Sequence, residues 1–395
     1  MDVAMPANHL ELLPLEYHQN LVNYLREKEP HVWNWATSAD VRQQQSNEIR
    51  EEMLRQTYRL EPEGHPTVFA ACATAMQKLE INAPVTIYQA ADGTMNASLC
   101  FIAGEVHLVF SGPTLERLGE AELLALMGHE LAHYKLWSCD DGAYFNASRI
   151  LDLALSFPGA KPSHHETARL LSLHTELYAD RGAALVAGDL EPAVSMLVKV
   201  MTGLGAVDAA AYLRQANELE TSNVKSMGRS HPESFLRARA LQLWWQGSPD
   251  LDGWIDRRLL GPLSIEALDL SRQEELTQLT RSFLARFVGQ IEGPSEEVLT
   301  QVRQYFPDFI LDETPLDLER ISVEKIDDAT RDYFIALMFD CALSDPDASD
   351  QLMTLTAKTA ETIGASDQLK AALKRDLKWT KKAIDNLFSR AAKAA

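Results

Sequence analysis

The chain has 395 residues, 46% of them hydrophobic and 24% charged, which rules out a mostly disordered, collagen-like or wholly coiled-coil polypeptide and leaves room for two to three domains of roughly 150 residues each. Asp and Glu number 57 against 37 Lys and Arg, a formal net charge of -20. Attraction to phosphate dominates nucleic-acid binding and here has the wrong sign, so no nucleic-acid partner is expected.

In chain order, Met1 to Pro6 lacks the basic and apolar regions of a signal peptide. Residues 1–63 read as polar helices, Glu16 to Lys28 and Ser38 to Tyr58, broken at Pro14, Pro30 and Pro62. Residues 66–80 form another helix with Pro66 near its start. The period then changes to that of strands: Val85 to Tyr88, Ala97 to Ile102 and Glu105 to Phe110, the last two joined by Ala103-Gly104 as a hairpin. From Thr114 onward nearly everything is helical: Leu123 to Trp137, Ala143 to Phe157, His164 to Ala187 with Ser163 as N-cap, and Pro192 to Met201. Gly247, Pro249, Gly253, Gly261 and Pro262 mark a boundary. Beyond it, helices are predicted near 264–291, 295–306, 323–343, 348–363 and 366–392. No run approaches 18 apolar residues, so no membrane span is expected. Cys72, Cys100, Cys139 and Cys341 are scattered, offer neither a disulfide framework nor a cysteine zinc site, and fit a reducing compartment. The expected location is cytoplasmic.

The chemistry concentrates at residues 129–133, His-Glu-Leu-Ala-His. On a helix, positions i and i+4 share a face, so His129 and His133 reach one metal, while Glu130, offset by about 100°, can hold a water on it. Gly128 lets another backbone approach. A catalytic zinc takes three protein ligands and keeps one position open. The best third ligand is Glu176 on the next helix but one, with Asp180 one turn later to accept a hydrogen bond from a ligand histidine. His174 lies about 200° around the same helix from Glu176 and cannot face the same metal. His164 and His165 lie about three turns away, at the helix start.

The helix bearing His129 to His133, then Glu176-Leu177-Tyr178-Ala179-Asp180-Arg181, then Ser230-His231-Pro232 with Arg237 beyond it, resembles the HtpX and CAAX-prenyl-protease type of zinc metallopeptidases, which are gluzincins. Met95-Asn96-Ala97-Ser98 resembles that family's edge-strand motif, and Gly188 to Pro192 the stretch after its third-ligand helix. The resemblance covers about residues 60–245. Without spanning helices, the chain resembles the branch that lacks them. The resemblance implies a zincin-like α+β fold and one zinc per chain. It implies that Asn96, Ala97 and Ser98 hold extended substrate backbone, and that His231 stabilises an oxyanion or caps the zinc in a latent form. Tyr178 and Arg237 are further candidates, the first as a packing residue and the second as an anchor of the His231 segment through an acidic partner. Asp332 to Leu369 resembles the tellurite-resistance TerB-like helical domain, with Asp345-Pro346-Asp347 where an Asp-Gly turn is usual.

The expected fold is mostly helical α+β: a zincin-like peptidase domain with a small antiparallel sheet, followed by a helical bundle. The expected divisions are a helical N-terminal segment (1–63) packing on a peptidase domain (64–247), a linker (248–263) and a C-terminal helical domain (264–395). The expected activity is zinc-dependent endopeptidase cleavage of protein or peptide substrates, with Glu130 as general base. The contrasting expectation is a proteolytically quiet zinc-binding scaffold that recruits a protein partner through its C-terminal domain. Asp345 to Asp350 starts like a calcium loop but lacks its glycine and ends at Thr356, so it reads as an acidic helix cap. Trp244-Trp245 reads as interdomain packing, and the basic tail Lys374 to Lys393 as a solvated helix.

Overall fold

Two units partition the chain, Met1–Gly261 and Pro262–Ala395. The computed structural model describes residues 10–220, 225–228, 230–291, 293–311 and 316–393. The N-terminal stretch Met1 to Pro6, read for a signal peptide, lies outside the described residues.

The first unit opens with α1 (Glu16–Lys28), α2 (Pro30–Ala36) and α3 (Ala39–Gln56). Thr57 and Tyr58, expected to extend the third helix, instead enter a short strand, β1 (Thr57–Arg59). Thr57 closes the helix by donating its hydroxyl to Met53 O at 2.6 Å, and its backbone then pairs with Ala90. After α4 (Pro66–Lys78) come β2 (Val85–Ala90), β3 (Asn96–Ile102) and β4 (Glu105–Ser111). The sheet order is β1-β2-β4-β3. It is mixed rather than antiparallel: β3 and β4 form the expected hairpin, but β4 runs parallel to β2, with Val85 opposite Val106 and Gln89 opposite Phe110. Burial explains the order. Val106, Leu108 and Phe110 are fully buried, so β4 takes the centre and β3 is left at the edge.

Helices complete the unit: α5 (Thr114–Arg117), α6 (Glu120–Ser138), α7 (Ala143–Ser156), α8 (Pro162–Ala187), α9 (Leu190–Thr202), α10 (Ala209–Glu220), α11 (Ser234–Trp245) and α12 (Leu251–Leu259). Pro162, whose missing N–H costs nothing at a first helical position, starts α8 two residues before the expected His164, and Ser163 lies inside the first turn instead of capping it. Gly188, at φ 77°, ends α8, and Asp189 caps α9 by accepting from Leu190 N and Glu191 N. The stretch expected as a linker holds α12, which buries Leu251, Trp254, Ile255 and Leu259 in this unit's core. Of the glycines that suggested a linker, Gly247 and Gly261 sit at its flanks, both at positive φ, and Gly253 lies within the helix. Trp244, expected at an interdomain face, is buried in the same core with the Arg181 guanidinium 5.5 Å above its ring. Among the described residues, no helix is long and apolar enough to cross a membrane.

The second unit contains α13 (Leu270–Gly289), α14 (Glu296–Tyr305), α15 (Asp328–Ser344), α16 (Ser349–Thr362), α17 (Ser366–Arg375) and α18 (Lys381–Lys393) around Phe283, Phe287 and Phe334. Side chains set the starts: Asp269, Ser295 and Asp327 cap α13, α14 and α15. Asp345 accepts from Asp347 N at 2.9 Å, a turn ahead of α16. The helix expected over 366–392 is two helices, broken around Lys378 at φ 56°.

Candidate metal centre

The centre is built on the crossing of α6 and α8. A Cβ on Gly128 would lie 2.6 Å from Val186 Cβ and 2.8 Å from Gly182 O, and one on Gly182 would strike Ala132. Glycine at both positions lets the two helices approach this closely, because a side chain at either would have to displace a packed backbone. The approach sets His129 and His133 on α6 across from Glu176 and Asp180 on α8.

The side chains converge accordingly. His129 Nε2 lies 3.6 Å from Glu176 Oε2, and His133 Nε2 lies 3.7 Å from Glu176 Oε1. One ligand atom from each of His129, His133 and Glu176 falls within 4.8 Å of the others, and all three residues are buried. Glu176 Oε2 is shut away from solvent without a hydrogen-bond donor, although Arg237 Nη1 stands 3.1 Å off as an ion-pair partner. Such a donor set, two imidazoles and one carboxylate aimed at a common point, fits a divalent ion of the zinc type.

Electrostatics favour the ligating forms of His133 and Glu176, and the charged form of His129. Burial, reinforced by the positive charge of His129, pushes the His133 imidazole down to about 4, so its lone pair is free at neutral pH. At His129 burial acts the same way, but the Asp180, Glu176 and Glu130 carboxylates outweigh it and raise the pKa. His129 Nδ1 lies 3.2 Å from Asp180 Oδ1 without the alignment of a hydrogen bond, and Nε2 faces Glu176. Burial opposes ionisation of Asp180 and Glu176, yet Arg237 holds both below the usual carboxylate range. Arg237 grips Asp180 through Nε at 2.8 Å and Nη2 at 2.6 Å. The acidic partner expected for Arg237 is therefore a pair of carboxylates on α8.

A cavity of about 580 Å³ opens over these groups. Glu130 lines it, and burial, together with the nearby Glu176 charge, pushes its carboxyl up to about 7 against the opposing pull of His129 and Arg237. Asn96, Ala97, Ser98 and Leu99 of β3, the unpaired edge of the sheet, form one wall. His231 lines it too, with Nε2 3.5 Å from Glu176 Oε1 and Nδ1 2.9 Å from Ser230 Oγ. The segment carrying it is fastened to α8, where the Ser172 hydroxyl donates to Ser230 O at 2.6 Å and Arg169 to Gly228 O at 3.3 Å.

Other histidines go elsewhere. His174 stacks on Tyr17 with ring centroids 4.4 Å apart, and His164 Nδ1 accepts from Lys161 N at the start of α8. Tyr178 is fully buried in the core, its hydroxyl 3.5 Å from Leu12 O, and does not line the cavity. One contributor had no signal in the sequence. His18 on α1 is fully buried, bonds Thr175 Oγ1 at 3.1 Å and lines the back of the cavity. Nothing local to α1 announces a contact so distant along the chain.

The chain is 31% identical over 191 residues to the plastoglobule-localized metallopeptidase 48, chloroplastic, of Arabidopsis thaliana, an alignment covering 43% of this chain and 54% of that protein. The chain thus spans about half the length of this curated relative. No family model matches the chain. No solved structure matches it.

Proposed function

We propose that this chain is a zinc-dependent metalloendopeptidase. The observation that carries the reading is the buried His129, His133 and Glu176 set with ligand atoms within 4.8 Å, sharing one cavity with Glu130. Similarity to a metallopeptidase supports it. Zinc held by these three side chains would polarise a scissile carbonyl and lower the pKa of water at the site. Glu130 then takes the proton of the attacking water and passes it to the leaving amine. The free edge of β3, at Asn96 to Ser98, pairs with extended substrate backbone, which gives affinity through main-chain hydrogen bonds. Asp180 orients His129, and Arg237 fixes Asp180. The four free cysteines support a reducing, cytoplasmic setting. For the second unit we keep the proposal of a TerB-like helical module that recruits a protein partner.

Metal analysis tests the core of this reading. The purified chain is expected to hold about one zinc, and His129→Ala, His133→Ala and Glu176→Ala are each expected to lose most of it. Full occupancy in Glu176→Ala would remove that residue from the ligand set.

His231 is assigned as donor to the oxyanion. His231→Ala is expected to slow hydrolysis of an unfolded protein about 10²–10³-fold, the scale of one lost oxyanion donor. A faster variant would make His231 a cap on the resting site, and an unchanged one would leave it neither role.

A further inference from the structure

The two ends of the cavity differ in chemistry, and helix packing fixes which end is which. Glu122, in the first turn of α6, accepts from Ser195 Oγ at 2.5 Å and from Lys199 Nζ at 2.6 Å, so α9 flanks the N-terminal half of α6. Trp137, in the last turn of α6, meets the Phe145 ring of α7 with centroids 5.9 Å apart, so α7 flanks the other end. Glu130 and His133 lie between. The α9 wall presents Met196, Leu197, Val200 and Met201, spaced to share one helical face, beside Leu126 of α6. It carries no charge, and Met201 is 52% exposed, so apolar area waits there for a side chain to cover it. The α7 wall presents Tyr144, Ser148 and Asp152 on successive turns.

Asp152 is the charged group of that wall. It is exposed, and no hydrogen bond or ion pair engages it among the described residues. The surrounding walls partly desolvate its carboxyl and raise its pKa, and no cation offsets the effect. A carboxylate at a cleft wall without a counter-charge gains most from a cation that the substrate brings, and a protein of net charge -20 draws cationic segments toward itself at longer range.

Resting on the peptidase reading above, we propose that the cleft selects extended peptide segments with a bulky apolar side chain on one side of the scissile bond and a lysine or arginine on the other. Asp152 recognises the cation and the α9 wall takes the apolar group.

Binding tests this without requiring turnover. Two fluorescein-labelled octapeptides carry leucine and arginine flanking the central bond, one in each order, and their counterparts carry glutamate for arginine. On the Glu130→Gln chain, one of the arginine peptides is expected to bind about two- to fivefold more tightly than its glutamate counterpart, the scale of one exposed ion pair. Adding Asp152→Lys is expected to invert that ranking, and Met201→Glu to weaken the tighter-binding arginine peptide. An unchanged ranking with Asp152→Lys, or no discrimination in the parent chain, overturns the proposal. Cleavage-site profiling of a peptide mixture by the wild-type chain separates it from the activity. Binding with the expected ranking but no cleavage would sink the peptidase reading and leave the subsites standing. Cleavage without charge preference would do the reverse.

Discussion

Glu130→Gln is expected to lower hydrolysis of an unfolded protein by about 10²–10⁴-fold while leaving zinc content unchanged, because general acid–base catalysis contributes on that scale. Glutamine keeps the size and hydrogen-bonding reach of the side chain but cannot take a proton. Glu130 lines the cavity above the three candidate ligands and is not one of them. Burial brings its carboxyl to about 7, a value at which a base both holds and releases a proton readily. A bound dication would favour the ionised form, so the rising limb of kcat/KM is expected below pH 7, with activity lost as pH falls and the base becomes protonated. Rates on a reduced, unfolded protein and metal content measured on the same preparations settle the point. Turnover comparable to the wild type would end the role assigned to Glu130.

What could be read in the sequence follows from how far each feature reaches along the chain. His129 and His133, and likewise Glu176 and Asp180, are one helical turn apart, so spacing alone places each pair on a face, and the structure brings the two faces together. The sheet was harder. Strand period shows β2, β3 and β4, but the parallel pairing of β2 with β4 depends on which strand is most buried, a property of the assembled core. β1 has only three residues, too few to carry a period, and is a strand because the edge of β2 is there to pair with it. Gly128 hinted at a close approach, whereas Gly182, which completes the contact from α8, carried no separate signal. The flanking of the cleft by α7 and α9, and the reach of His18 from α1, depend on contacts between distant segments. No local pattern encodes them.

Arg237→Met is expected to destabilise the zinc-free chain by about 3–5 kcal/mol, the usual cost of removing one partner from a buried charge network. The arginine is buried and faces two buried carboxylates, Asp180 through two hydrogen bonds and Glu176 through an ion pair at 3.1 Å. Methionine fills much of the volume but leaves both acids without their cation. Each must then stay charged at a high desolvation cost or take up a proton. The pH dependence gives the sign. In the wild type both carboxyls titrate below their ordinary range, so the stability they contribute is complete above that range and is lost as pH falls through the folded-state values. In the methionine variant the depression is largely gone. The difference between the two chains is therefore greatest near pH 7 and narrows as pH drops below about 4.5, where the unfolded-state carboxylates protonate. Saturating zinc supplies positive charge beside Glu176 and is expected to recover part of the loss, leaving the Asp180 share. Urea unfolding of both chains at pH 7 and pH 4, with and without zinc, measures each of these quantities. A loss under about 1 kcal/mol at pH 7, or one that grows in acid, would show that Arg237 is not what keeps the two carboxylates ionised.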